Sequence, residues 1–347
     1  MSRKILGEKS GFLLYAAAFV IVIAGVKSAQ SIISPFLLAI FIAVMSAPAV
    51  FWLEKLGLRR IFAFFIVTIV VVAFLSIAMI ITWNALNNFA SKLHIFQVKL
   101  NLLMEQVSIF LASKDIEFNP KADMPTEFQP SYIINVMRGF LLSFSKILSG
   151  SFMIFLMVAF ILFETTSLGD KTRVILGRGT KEAKTLDSFI QNLKKFLAIR
   201  TTASAITGLF VGVALALLGI ENAIFWGITA FFLNFIPVVG SIIAAIAPII
   251  MTFIEHSLGM VFAVSGVYLF INIAIGNIIE PRFLGHGMGI SALVVLLSLI
   301  FWGWVLGPIG MFLAVPLTMI IKLILEINPD TRWIAIALSN FTRTKKR

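Results

Sequence analysis

The sequence predicts an all-α, polytopic membrane protein with about eight membrane-entering segments, and three observations carry that prediction. Hydrophobic residues occupy 60% of the 347 positions and charged residues 13%, against roughly 45–50% and 25% in soluble globular proteins. Apolar runs long enough for a hydrocarbon core of roughly 30 Å begin near Gly11, Ser31, Ile61, Ile147, Thr202, Ala223, Leu258 and Ile290. The runs at 223–254 and 290–326 are too long for one simple span, and each is broken in the middle by Pro and Gly.

Charge sets the expected orientation. The net charge of +12 is spread over loops and tails rather than along one soluble face, which argues for membrane orientation and against nucleic acid. Arg3, Lys4 and Lys9 precede the first span, Lys55, Arg59 and Arg60 follow the second, and Arg343, Lys345, Lys346 and Arg347 end the sequence. Between Ser167 and Thr202 eight cations, Arg200 among them, face three anions, whereas Asn84 to Leu148 is nearly balanced. Both termini and 167–202 are therefore expected in the cytoplasm and 84–148 outside. The first run is expected to stay as an uncleaved span, because cleavage after Ala29 would put Lys27 where a small residue is favoured. Cysteine is absent, so neither disulfides nor thiolate metal sites enter.

In order, the expected regions are 1–83, with the first three spans; 84–148, an external helical arm; 149–166, a span; and 167–201, a cytoplasmic amphipathic linker. A transport region with two broken segments follows at 202–326, and a basic cytoplasmic tail at 327–347. The arm carries a four-heptad seam of Leu86, Leu93, Leu100 and Val107 interleaved with Phe89, Phe96, Leu103 and Phe110. It suits packing on a second arm helix, which carries Ile133, Ile134, Met137, Phe140, Leu141 and Phe144, or contact between copies of the chain. Pro120, Pro125 and Pro130 mark the turn between the two arm helices. A further amphipathic helix is expected from Thr180, with Leu186, Ile190, Leu193 and Leu197 on one face.

The first break reads Asn234-Phe-Ile-Pro237-Val-Val-Gly240 and the second Gly307-Pro308-Ile-Gly310. A broken helix frees backbone N–H and C=O groups, which hydrocarbon cannot satisfy, so such breaks belong inside protein or beside a water-filled cavity. Each segment is either a kinked span or a hairpin that enters and returns, and both readings end the chain on the same side. Paired breaks are the pattern of a transport site. Ionisable groups at membrane depth point the same way, here Glu280 above all, with Glu164 and Lys322 as lesser candidates. Tyr268, Asn272, Gly276 and Glu280 recur every four residues and form a polar stripe. The expected substrate path is Asn234, Asn272, Asn277 and Glu280. Alternatively, the amides join helices and Glu280 pairs with Arg282 at the interface.

The stretches Asn234 to Gly240, Glu280-Pro-Arg-Phe-Leu-Gly-His-Gly-Met-Gly289, Leu293 to Leu299 and Gly307-Pro-Ile-Gly-Met-Phe-Leu-Ala-Val-Pro316 resemble the autoinducer-2 exporter family of bacterial permease-like membrane proteins. Span order and the external arm extend the likeness over nearly the whole sequence. The resemblance implies a homo-oligomeric exporter in the bacterial inner membrane, moving a small polar signal such as autoinducer-2, or a sodium/proton antiporter. A membrane scaffold with a partner-recruiting arm is the alternative from another class. Expected partners are a small polar solute, a proton or sodium as coupling ion, the lipid bilayer and further copies of the chain.

No enzyme is expected. His94, His256 and His286 lie on separate segments without metal-ligand spacing, and Gly7-Glu-Lys-Ser-Gly11 lacks the upstream glycine of a phosphate loop. Neither catalytic residues nor a metal or cofactor site is assigned.

Overall fold

The computed structural model describes residues 17–114, 132, 135, 139, 142, 153–161, 181–284 and 290–339, and every regular element among them is helical. Expectations on Glu164, the proline-marked turn, the apolar face of the second arm helix, residues 162–180 and 285–289 and the basic tail from residue 340 lie outside the described residues.

In chain order the elements are α1 (Ala17–Ser28), α2 (Gln30–Lys55), α3 (Arg60–Ala112), α4 (153–161), α5 (Lys181–Leu217), α6 (Ala223–Leu233) and α7 (Val239–Glu255). Then come α8 (Leu258–Ile271), a π-helical stretch (Asn272–Ile279), α9 (Glu280–Leu284), α10 (Ala292–Ile327) and α11 (Arg332–Ala337). Five described segments are long and apolar enough to cross a membrane, and three shorter apolar helices, α1, α6 and α7, accompany them.

The expected boundary at residue 84 falls inside α3, a single helix of 53 residues. At 1.5 Å per residue α3 is about 80 Å long, far more than a bilayer needs. No Gly or Pro interrupts it, so nothing in the backbone separates the span from the arm. Of the heptad seam, Phe89 is buried, while Val107 and Phe110 are exposed. The side chains of Leu86, Leu93, Phe96, Leu100 and Leu103 lie outside the described set. The amphipathic linker likewise continues into the next span as one helix, α5.

The chain divides into two compact units. The first comprises Met1–Phe65, Met153–Ile199 and Leu284–Arg347. Its core includes Ala39 and Ala43 of α2 with Ile154 and Val158 of α4, each pair one helical turn apart so that both share a face. Phe41 of α2 meets Phe312 edge-on at 5.1 Å.

The second unit comprises Ile66–Phe152 and Arg200–Phe283. Its core gathers Val211 and Leu215 of α5, Phe225 and Trp226 of α6 and Val264 and Tyr268 of α8. Helices α5 and α6 approach through glycine: a Cβ on Gly208 would lie 2.7 Å from the Gly227 carbonyl oxygen. Small residues at such crossings let backbones touch where lipid supplies no hydrophobic drive. Away from this crossing, α3 anchors the neighbouring loops. Lys92 pairs with Glu221 and lies 3.4 Å from Glu255, and Asn88 Nδ2 donates to Asn222 Oδ1 at 3.2 Å. The hydrogen bond to Glu221, aided by the charge of Glu255, holds the Lys92 ammonium above the usual lysine range against the opposing effect of burial.

Candidate functional site

Both Pro/Gly breaks are hairpins. In the first unit, Thr318 Oγ1 lies 2.8 Å from Ser298 Oγ and accepts a hydrogen bond from Trp302 Nε1 at 3.2 Å. Twenty residues of straight helix would separate positions 298 and 318 by about 30 Å, so α10 folds back on itself. The turn is at Gly307, with φ 68° and ψ −154°, a conformation open essentially to glycine alone. Gly310 then passes so close to the first arm that a Cβ there would lie 1.9 Å from the Trp302 carbonyl oxygen. Ser34 of α2 donates to the Leu306 carbonyl at 3.1 Å, satisfying an acceptor that the break frees. Lys27 stands 3.8 Å over the Trp304 ring.

In the second unit, α6 and α7 pack against one another around Asn234 to Val238. Helix α6, with 11 residues, is about 17 Å long, too short to cross a bilayer. Pro237 contributes no N–H, and Val239 N donates to the Pro237 carbonyl at 2.6 Å across Val238. Val238 has φ 63° and ψ −56°, a tight three-residue turn that a β-branched residue adopts only under strain. Such strained positions cost of order 1–3 kcal/mol and cluster at functional sites. Gly240 closes this turn as Gly310 closes the other: its Cβ would lie 1.8 Å from the Leu233 carbonyl oxygen.

A buried polar network sits at the break between α6 and α7. Asn234 ends α6, and its carbonyl accepts a hydrogen bond from Arg200 Nη2. Arg200 Nη1 is ion-paired and hydrogen-bonded with Glu280. Asn234 Nδ2 donates to Ser204 Oγ at 3.1 Å. Arg200, Ser204, Asn234 and Glu280 are each at most 8% exposed. A buried charge is tolerated when paired and hydrogen-bonded, and the guanidinium here serves as partner to a carboxylate and as cap to a broken helix at once. Its Nε has no hydrogen-bond partner among the described residues, nor do the buried hydroxyls of Thr229 and Tyr268.

Of the four residues expected on a path, the structure therefore brings Asn234 and Glu280 together through Arg200. It corrects the alternative partner of Glu280, since Arg282 is exposed while Arg200 makes the pair. Asn272 is half-buried and Asn277 exposed, so the two amides occupy different surroundings. The stripe runs through a π-helical stretch, Asn272–Ile279, where Glu280 N bonds back to the Ile275 carbonyl. Wider i→i+5 turns make steps of four lag where an α-helix makes them lead, so the 268-to-280 stripe winds less than expected; both its ends are buried.

Arg200 and Ser204 are the residues that sequence reasoning missed. Bordering a polar stretch rich in cations, Arg200 reads as one more cytoplasmic loop charge. A usable signal exists: Arg200, Ser204, Thr207 and Val211 follow the 3/4 spacing of one helix face, and all four are buried.

A model of the AI-2E transporter family matches residues 14–329. The chain is 34% identical to the AI-2 transport protein TqsA of Escherichia coli (strain K12), over 93% of this chain and 94% of that protein. It is 34% identical to a putative transport protein of Haemophilus influenzae, over 94% and 96% of the two chains. Its identity to the putative transport protein YhhT of Escherichia coli (strain K12) is 31%, over 95% of each. With apolar helices long enough to span and a match along nearly all its length, the chain is a multi-pass membrane protein that belongs to the AI-2E transporter family.

Proposed function

We propose that this protein is a secondary transporter of the bacterial inner membrane that exports a small, oxygen-rich polar metabolite such as AI-2, and that its coupling site is the network of Arg200, Ser204, Asn234 and Glu280. The observation that carries the reading is a buried arginine–carboxylate pair attached to the break of a helical hairpin. Broken helices place free backbone groups beside a solute, and an ionisable pair at depth is expensive enough to imply use. The AI-2 example rests on the name of the relative TqsA. The same carboxylate favours a second reading, sodium/proton antiport, in which Glu280 exchanges the two ions.

Reconstituted protein separates these readings. Export predicts solute flux from proteoliposomes under an imposed proton or sodium gradient, across a panel that includes AI-2. Antiport predicts sodium-driven proton movement with no solute added. Absence of both would end the transport assignment of this site.

For topology, the charge pattern supports cytoplasmic termini and an external arm. Asp115→Cys in this cysteine-free chain is expected to react with an impermeant maleimide from outside whole cells. Reaction from the cytoplasmic side alone overturns the orientation. The arm's heptad face is assigned to contact between copies of the chain. Leu93→Asp with Leu100→Asp is expected to lower the oligomer recovered in mild detergent, and an undiminished oligomer removes the arm from the interface.

A further inference from the structure

We infer that the transported solute carries an anionic group, and that this group and the Glu280 carboxylate take turns as the counter-ion of Arg200. The inference rests on the reading of this network as the transport site and narrows the class of solute that site would take. A guanidinium cannot lose its proton in a protein, so the positive charge of Arg200 persists through every state of the site. It is buried, at 7% exposure, and a buried charge without a counter-charge is strongly unfavourable.

Among the described residues the charged group facing Glu280 is Arg200, on α5. From the hairpin, Asn234 presents to Arg200 only a neutral carbonyl, and its own side chain is spent on Ser204. Arg282, two residues along, is exposed, and Tyr268 contributes a phenol three steps back along the stripe. Among the described residues of this network there is no second carboxylate to relieve Glu280.

The charge balance follows. When Glu280 takes up one proton it becomes a neutral acid, and the site keeps the single positive charge of Arg200. A solute with one negative charge restores neutrality, accepting from the guanidinium face that the carboxylate has left and from Nε, which has no partner among the described residues. Loss of the proton returns the carboxylate to Arg200 and expels the anion. Proton and solute charge thus occupy the site together, one for one. A small carboxylate or phosphate monoanion fits this requirement, and a neutral polyol does not. Because Arg200 also holds the Asn234 carbonyl, the exchange takes place at the break between α6 and α7.

Glu280→Gln tests this through rescue by formate, the smallest carboxylate. Purified full-length Glu280→Gln protein in detergent is expected to melt below wild type and to regain on the order of 5 °C with formate at saturating concentration. Formamide, its neutral isostere, restores nothing. The double variant Arg200→Gln with Glu280→Gln removes both charges and is expected to show no formate response. Wild type, whose folding does not depend on any substitution, is expected to melt higher with formate than with formamide at equal concentration.

Equal effects of formate and formamide on Glu280→Gln or on wild type, or an equal formate response in the double variant, would each overturn the inference. If formate rescue fails while Glu280→Gln still abolishes gradient-driven flux, the solute is not an anion at Arg200 and the transport site stands. If Glu280→Gln transports normally at every pH, the site itself is lost and this inference with it.

Discussion

Glu280→Gln is expected to reduce gradient-driven transport by on the order of a hundredfold while leaving a folded, membrane-inserted chain. The amide keeps the shape of the carboxylate and one acceptor oxygen but cannot carry a proton or a charge. A hundredfold loss corresponds to about 2.7 kcal/mol, within the range that one fully buried charged contact supplies. The substitution also leaves Arg200 buried without its counter-ion, and breaking such a pair costs about 3–5 kcal/mol. Loss of flux must therefore be measured per folded molecule, by scaling initial rates to the monodisperse protein recovered from the proteoliposomes. Arg200→Gln combined with Glu280→Gln separates the two effects, since removing both charges relieves the unpaired cation. The double variant is expected to recover stability and to stay inactive. A double variant that transports like wild type would show the pair to be a structural tie.

Gly310→Ala and Gly240→Ala are expected to destabilise the protein by about 3 kcal/mol each, toward the upper end of overpacking costs. The added methyl group would lie 1.9 Å from the Trp302 carbonyl oxygen in one case and 1.8 Å from that of Leu233 in the other. These are backbone atoms of the opposing arm, so no side-chain rotation relieves the overlap and the hairpin must open. Gly266→Ala is the matched control, because nothing lies within 4 Å of the place its methyl group would take and alanine favours a helix. In mild detergent the melting midpoints of the two hairpin variants should fall by about 5 °C or more, with the control unchanged. If Gly310→Ala melts with Gly266→Ala, the tight closure of the hairpin carries no stability.

The two breaks show how local chemistry can be read and where it stops. Pro237, Gly240, Gly307, Pro308 and Gly310 are visible as interruptions of apolar runs, because a missing N–H and a missing Cβ act within a few residues. Whether each break is a kink or a reversal is not local. That depends on contacts such as Ser298 with Thr318 and on whether Ser34 reaches the Leu306 carbonyl, 272 positions away in sequence. Charge counts give the same parity for both arrangements and so leave the choice to packing.

The same division runs through the site. Asn234 and Glu280 stand out because amides and carboxylates are conspicuous in apolar runs, and burial is costly enough to make each a candidate without a structure. Arg200 does not stand out, because at the edge of a polar stretch a cation looks like a loop residue until its helix is seen to continue through it as α5. Hydropathy and periodicity suffice for the helical membrane class, the order of its segments and the two breaks, all of which follow from interactions between near neighbours in sequence. The partner of Glu280 lies 80 residues away, on another helix. Folding alone brings that pair together, and with it the buried charge on which the proposed coupling depends.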